Sequence, residues 1–194
     1  MIGARLKPGA AAALFEGPAD TFTDRVTPLD QIVGDVADAL RGHRLEASDD
    51  AERFAIFERF LQERLQPQRP GLDLVLEAVA HIEAAAGSLS IADLSSALNV
   101  SHKHLIQQFT AHIGLRPKQF ARVVRFSSLL PALTGAGAPD WAALAQQAGY
   151  HDQSHFNREF QSFSGLSPRQ YLKLREAYQL DYNTNDDTRF VPIG

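Results

Sequence analysis

Residues Gln153–Tyr171 read QSHFNREFQSFSGLSPRQY, and fifty-one residues upstream His102–Phe120 read HKHLIQQFTAHIGLRPKQF. Both stretches carry an aromatic (Phe109, Phe160), a glycine five residues on (Gly114, Gly165), a proline three further (Pro117, Pro168) and an aromatic three beyond that (Phe120, Tyr171). One such spacing is a weak signal. The same four points twice in one chain make an internal repeat, and a repeat implies two copies of one structural unit.

Each copy extends upstream in the same way. Ser90 with Asp93 three residues on resembles a capping box opening a short helix over Ile91–Leu98. Asn99-Val100 reads as a tight turn, since asparagine tolerates left-handed backbone, and Ser101 caps the next helix, which Gly114 ends. In the second copy Asp140 and Asp152 are the caps, Gly149-Tyr150 the turn and Gly165 the stop. The upstream helices align at an offset of 50 and the downstream halves at 51, so the second turn holds one extra residue. Pro117 opens a helix to about Leu130, where Pro131 cannot continue it, and Thr134–Pro139 (TGAGAP) reads as a connection. Pro168 opens the last helix.

A short helix, a tight turn and a second helix make a helix-turn-helix, whose second helix can enter a DNA major groove. The helical period turns Leu105, Phe109 and Ile113 inward in the first copy and His102, Lys103, Ile106 and Gln107 outward. In the second, Phe156, Phe160 and Phe163 turn inward and Gln153, Ser154, Asn157 and Arg158 outward. Gln, Asn, Lys and Arg are side chains that read base edges. A merely solvated helix face is the alternative reading, and the repeat counts against it.

Charge is uneven along the 194 residues. The net charge is −4, yet 116–175 carries eight basic side chains against three acidic ones. That segment suits a polyanion, though surface scatter would give the same count. No apolar run is long enough to span a bilayer, and Arg5 and Lys7 interrupt any signal-peptide pattern. With no cysteine there is no disulfide, thiolate zinc site or Cys nucleophile, and a cytoplasmic setting fits. His102 and His104 point to different helix faces, while His151 precedes the cap that starts the helix of His155, so neither pair is a good metal site. No phosphate-binding glycine loop or nucleophile elbow is present, and we expect no enzyme activity, metal or cofactor.

Upstream of the repeat, residues 2–6 read as a short strand, Lys7–Gly9 as a turn and Ala10–Phe15 as a short helix. Leu29 to Leu40 reads as one helix with Gly34 a weak point and Gly42 its end. Ser48 reads as the cap of a helix whose Phe54, Phe57, Leu61 and Leu65 mark one face. Gln66–Gly71 (QPQRPG) is the best boundary, dividing an N-terminal segment, 1–70, from a domain at 71–178. Residues 179–194 read as a loose acidic tail.

GYHDQSHFNREFQSFSGLSPRQY (Gly149–Tyr171) resembles the C-terminal signature of the AraC/XylS transcription regulators: Gly-aromatic, Ser-x-Phe, a downstream aromatic, then Gly-x-Ser-Pro-x-x-aromatic. LNVSHKHLIQQFTAHIGLRPKQF (Leu98–Phe120) resembles the same family's first helix-turn-helix, and the likeness covers about 72–175. It implies an all-α fold: two homeodomain-like helix-turn-helix units, at about 90–113 and 140–163, joined by a linker helix at about 117–130. A small, mostly helical segment with one short strand precedes them. The implied partner is double-stranded DNA, with two reading helices in successive major grooves about 34 Å apart. By position in the motif, Lys103, Ile106 and Gln107 match base-reading places of the first unit, and Gln153, Ser154, Asn157 and Arg158 those of the second. Ser101, His102, Arg116, Lys118, Arg122, Arg125, Arg169 and Lys173 are candidates for phosphate contacts. The chain departs from the pattern at Ile106, apolar where a reader is often polar, and at Pro131 with its connection. Residues 1–70 are too short for the β-barrel sensor that usually precedes this domain and read as its end, which counts against a small-molecule effector. The Phe54 face is expected to pack on the DNA-binding domain; the alternative is pairing with a second chain as a homodimer through residues 1–70.

Overall fold

A computed structural model describes residues 3–66, 69–133 and 139–178. Among them the structure is all-α: eleven α-helices, two 3-10 turns and no strand. Gly3–Lys7 lacks the expected strand, because no other strand is present to pair with it; Ile2 lies outside the described residues. The expected acidic tail and most of the TGAGAP connection also lie outside them.

By its contacts the chain divides into two compact units, residues up to His81 with Ile91–Pro117, and Ile82–Ser90 with the residues from Lys118 on. The boundary expected at Gln66–Gly71 falls within the first of these spans.

In the first unit α1 (Ala10–Leu14) precedes a 3-10 turn (Ala19–Phe22), then α2 (Leu29–Val33), α3 (Val36–Glu46) and α4 (Asp50–Arg64). The single helix expected over Leu29–Leu40 is broken at Gly34, whose backbone (φ 64, ψ −146) no helix accommodates. Gly42, expected to end it, lies inside α3, which runs to Glu46. The cap of α4 is Asp49 rather than Ser48: the Asp49 carboxylate accepts the Glu52 N–H, and Ser48 instead donates its N–H and hydroxyl to Glu52 Oε2 at 2.7 and 2.9 Å. Val33, Ala37, Leu40 and Phe60 form a small core, with Ile56, Phe57 and Leu61 packed against it. The α4 face thus closes largely on α2 and α3, while Phe54 and Leu65 stay 57% and 53% exposed.

α5 (Leu72–Ala84), α6 (Ile91–Ala97) and α7 (His102–Ile113) follow, and Leu94, Leu105 and Phe109 are fully buried. The N-terminal turns pack on α7. The Thr23 hydroxyl donates to Gly114 O at 2.7 Å, just past the end of α7, and Gly9 lies against Leu72, Leu76 and Ile113. Arg69 donates to Ala12 O and, at 2.9 Å, to Phe15 O, so the segment before α5 satisfies the carbonyls that α1 leaves unbonded.

In the second unit α8 (Pro117–Leu129) gives way at Leu130 to a 3-10 turn holding Pro131, followed by α9 (Trp141–Gln147), α10 (Gln153–Ser164) and α11 (Pro168–Tyr178). The core gathers Leu129, Leu133, Trp141, Leu144, Tyr150, Phe156, Phe160 and Tyr171. Phe160 is its hub: Phe126 and Tyr171 meet it edge-on at 5.2 and 5.4 Å between ring centres, and Phe156 lies at 5.7 Å. The repeat survives in three dimensions. Four residues separate α6 from α7 and five separate α9 from α10, so the extra residue is in the second turn as its register requires.

Candidate nucleic-acid interface

The two second helices of the repeat, α7 and α10, are built alike. An oxygen side chain caps each: Ser101 accepts the His104 N–H at 3.2 Å, and Asp152 accepts the His155 N–H at 2.7 Å. That bond, then the His151 side chain, hold the Asp152 carboxyl below the usual carboxylate range. A left-handed glycine closes each helix, Gly114 at φ 86 and Gly165 at φ 72. The turn before α7 also uses left-handed backbone, at Asn99 (φ 51), as its asparagine suggested.

Between cap and stop each helix separates its faces. In α7 Leu105 and Phe109 are fully buried, while His102, Lys103, Gln107 and Ile106 are exposed, Ile106 at 37%. In α10 Phe156 and Phe160 are fully buried and Gln153, Ser154, Asn157 and Arg158 are exposed. Every side chain expected to read bases therefore reaches solvent from the N-terminal half of its helix. Each face can donate and accept hydrogen bonds in the patterns that base edges offer.

The expected phosphate contacts sort less evenly. Arg116, Lys118, Arg169 and Lys173 are exposed. Ser101 spends its hydroxyl oxygen on the helix cap. Arg122 donates from Nε to Glu159 Oε2 at 2.9 Å and lies over the Phe163 ring. Arg125 donates to Gly87 O at 2.8 Å and covers the Tyr150 ring at 5.3 Å. Both arginines are held inside their own unit, and a phosphate would have to compete with those contacts.

Sequence reasoning passed over Glu159. It lies on α10 one residue from Arg158 and is only 7% exposed. Its carboxylate accepts Tyr150 OH at 3.2 Å and Arg122 Nε at 2.9 Å, with His155 Nε2 at 3.8 Å. Burial, then the Glu159 charge, push the Tyr150 phenol well above its ordinary value. A signal was available: the helical period puts Glu159 among Phe156, Phe160 and Phe163, and a carboxylate on a core face demands partners.

Among the described residues no three His, Cys, Asp or Glu side chains converge on a metal site, and no helix is long and apolar enough to cross a membrane.

Known proteins carry this arrangement. Residues 94–174 match the helix-turn-helix domain family. An uncharacterized HTH-type transcriptional regulator of Haemophilus influenzae is 30% identical over 95 residues, 49% of this chain and 32% of the relative. The chain thus matches about a third of that relative's length. Among solved structures, the C-terminal domain of AraT, a response regulator from Geobacillus stearothermophilus, superposes with a TM-score of 0.50 at 23% identity, over 56% of this chain and 88% of that one. The DNA-binding domain of AdpA, a global transcriptional factor solved in complex with a target DNA, gives 0.49 at 18% identity, over 54% of this chain and 95% of that one. Residues 94–174 thus match the helix-turn-helix domain family, and the chain shares its fold with the C-terminal domain of AraT.

Proposed function

We propose that this chain is a sequence-specific transcription regulator that binds double-stranded DNA through two helix-turn-helix units, with α7 and α10 in successive major grooves. The observation that carries this is the duplicated helix face. Twice in one chain a helix buries Leu or Phe completely on one side and exposes Gln, Lys, Asn or Arg at its N-terminal half on the other. A solvated surface has no reason to repeat that choice at an offset of fifty-one residues.

Base reading is assigned to Lys103, Ile106 and Gln107 on α7, where Ile106 can touch a thymine methyl, and to Gln153, Ser154, Asn157 and Arg158 on α10. Arg116, Lys118, Arg169 and Lys173, with His102 at the start of α7, supply phosphate contacts, which give affinity without sequence information. Arg122 and Arg125 are assigned to the scaffold because each spends a donor inside its own unit, Nε on Glu159 and Nη2 on Gly87 O. Residues 71–178 act as the DNA-binding part and 1–70 as a regulatory segment. The cytoplasm, where DNA is accessible, is the fitting compartment. Pairing of chains through residues 1–70 is the competing reading, and the exposed Phe54 and Leu65 are the apolar side chains it would use.

A gel shift against a randomised duplex pool tests the proposal. Enriched sequences and binding that weakens steeply with salt support it, since lysine and arginine displace counterions. Arg158→Ala then costs about 1–3 kcal/mol on the enriched sequence and relaxes preference at one base pair. A pool with no enrichment, in a chain that sediments as a dimer, favours the competing reading.

A further inference from the structure

Glu159 has a part that helix stability alone does not explain. Removing a carboxylate from water is costly, and an apolar side chain would fill the same place without that cost. What a carboxylate adds is direction. Oε1 takes the hydrogen of Tyr150 OH, from the turn that leads into α10, and Oε2 takes the Nε–H of Arg122, from α8. Both partners are themselves held: Arg122 lies over the Phe163 ring at 5.4 Å, and Tyr150 lies under the Arg125 guanidinium, which in turn donates to Gly87 O. Aromatic packing around Phe156 and Phe160 resists separation of the helices but leaves rotation of α10 about its own axis comparatively soft. Two directional bonds from opposite oxygens of one carboxylate remove that freedom. Glu159 is also adjacent in sequence to Arg158 and two residues from Asn157, so a rotation at Glu159 is passed directly to the exposed face.

We propose that Glu159 is the positioning residue of the second reading helix: through Tyr150 and Arg122 it sets the rotation of α10 and so aims Gln153, Asn157 and Arg158 at their base pairs. This rests on the DNA-reading function proposed above. The same bridge engages the Nε of Arg122, one of the cations expected to meet phosphate.

The test uses the full chain and the duplex that wild type enriches from a random pool, together with all its single base-pair variants. A wild-type chain that enriches nothing overturns the DNA-reading function and this proposal with it, before any variant is made. The block of base pairs read by α10 is defined as the one that contains the base pair relaxed by Arg158→Ala. Glu159→Gln keeps the shape and loses the charge. It is expected to lower discrimination across that whole block about tenfold, comparable to the effect of one mismatched base pair, while the other block keeps its preferences. Adding Arg122→Gln to Glu159→Gln is expected to lower discrimination no further, because both act through one bridge. A purely structural residue would instead weaken every base pair alike, in step with the unfolded fraction; that uniform loss, or unchanged discrimination, overturns the proposal. Trp141 fluorescence reports whether each variant is folded. If Glu159→Gln is not, Tyr150→Phe carries the test, since it keeps the ring and removes one of the two bonds. A smaller loss confined to the α10 block supports the proposal, and no change there overturns it.

Discussion

Replacing Gly87 and Gly149 in turn by alanine separates backbone strain from steric conflict within one unit. Gly87 has φ +74 and Gly149 φ +73, so an alanine at either pays the same left-handed penalty, about 1–2 kcal/mol. Their surroundings differ. A Cβ at Gly149 would meet Ser88 Cβ at 3.5 Å, an ordinary contact. A Cβ at Gly87 would lie 2.1 Å from Ala121 O and 2.8 Å from Arg125 N, both backbone atoms of α8. A helix backbone cannot turn aside as a side chain can, so the segment must move, stretching the bond from Arg125 to Gly87 O. Overpacking of this kind costs about 1–3 kcal/mol more. The expected losses are thus about 1–2 kcal/mol for Gly149→Ala and about 2–5 kcal/mol for Gly87→Ala. Trp141 is the chain's one tryptophan and is buried in the core of this unit, so urea unfolding followed by its fluorescence reads the right transition. Equal shifts for the two variants would refute the close approach of Gly87 to α8.

Other predictions follow from single contacts. Tyr150, one of four tyrosines, is buried beside Glu159, so it stays neutral in the folded chain where an ordinary phenol ionises near pH ~10. Its raised value makes the associated stability complete below that pH and lost as pH rises; ultraviolet titration should show a late-ionising phenol in wild type that is missing in Tyr150→Phe. Asp152 works in the opposite direction: its lowered carboxyl supports the α10 cap above the usual carboxylate range and releases it as pH falls through the depressed value, which faster exchange of the His155 amide would report. Thr23→Val removes the donor to Gly114 O and should cost about 1 kcal/mol, with faster amide exchange at the end of α7. Unchanged exchange would mean that the N-terminal turns do not hold α7. Arg169→Ala and Lys173→Ala should each weaken binding evenly across sequences and reduce the salt slope by about one.

The repeat made most of the helical domain legible. Proline and glycine at matched places fixed where helices start and stop, and the period of Phe, Leu and Ile separated buried from exposed faces. Even the one-residue difference between the turns could be read from the two offsets. The misreadings have local causes. Periodicity runs through Gly34 because apolar spacing carries no information on backbone dihedrals, and Ser48 and Asp49 are both good caps whose choice depends on which oxygen reaches the Glu52 amide. A strand at residues 2–6 was plausible from composition, but a strand exists only with a partner. Charge along a chain does not reveal which cations meet a buried carboxylate or a carbonyl, so the bonds of Arg122 and Arg125 inside their unit are not legible in the sequence. Glu159 shares its helix with the exposed side chains, and only its partners, Tyr150 and Arg122 from other elements, mark it out.

Selection of bound sequences from a randomised duplex pool by the full chain tests the central claim most directly. Two reading helices on one face of the duplex predict two blocks of preferred base pairs with centres about 10 base pairs apart, with preference relaxed inside one block by Gln107→Ala and inside the other by Arg158→Ala. A single block that responds to only one of these substitutions, or no enriched sequence at all, would contradict it.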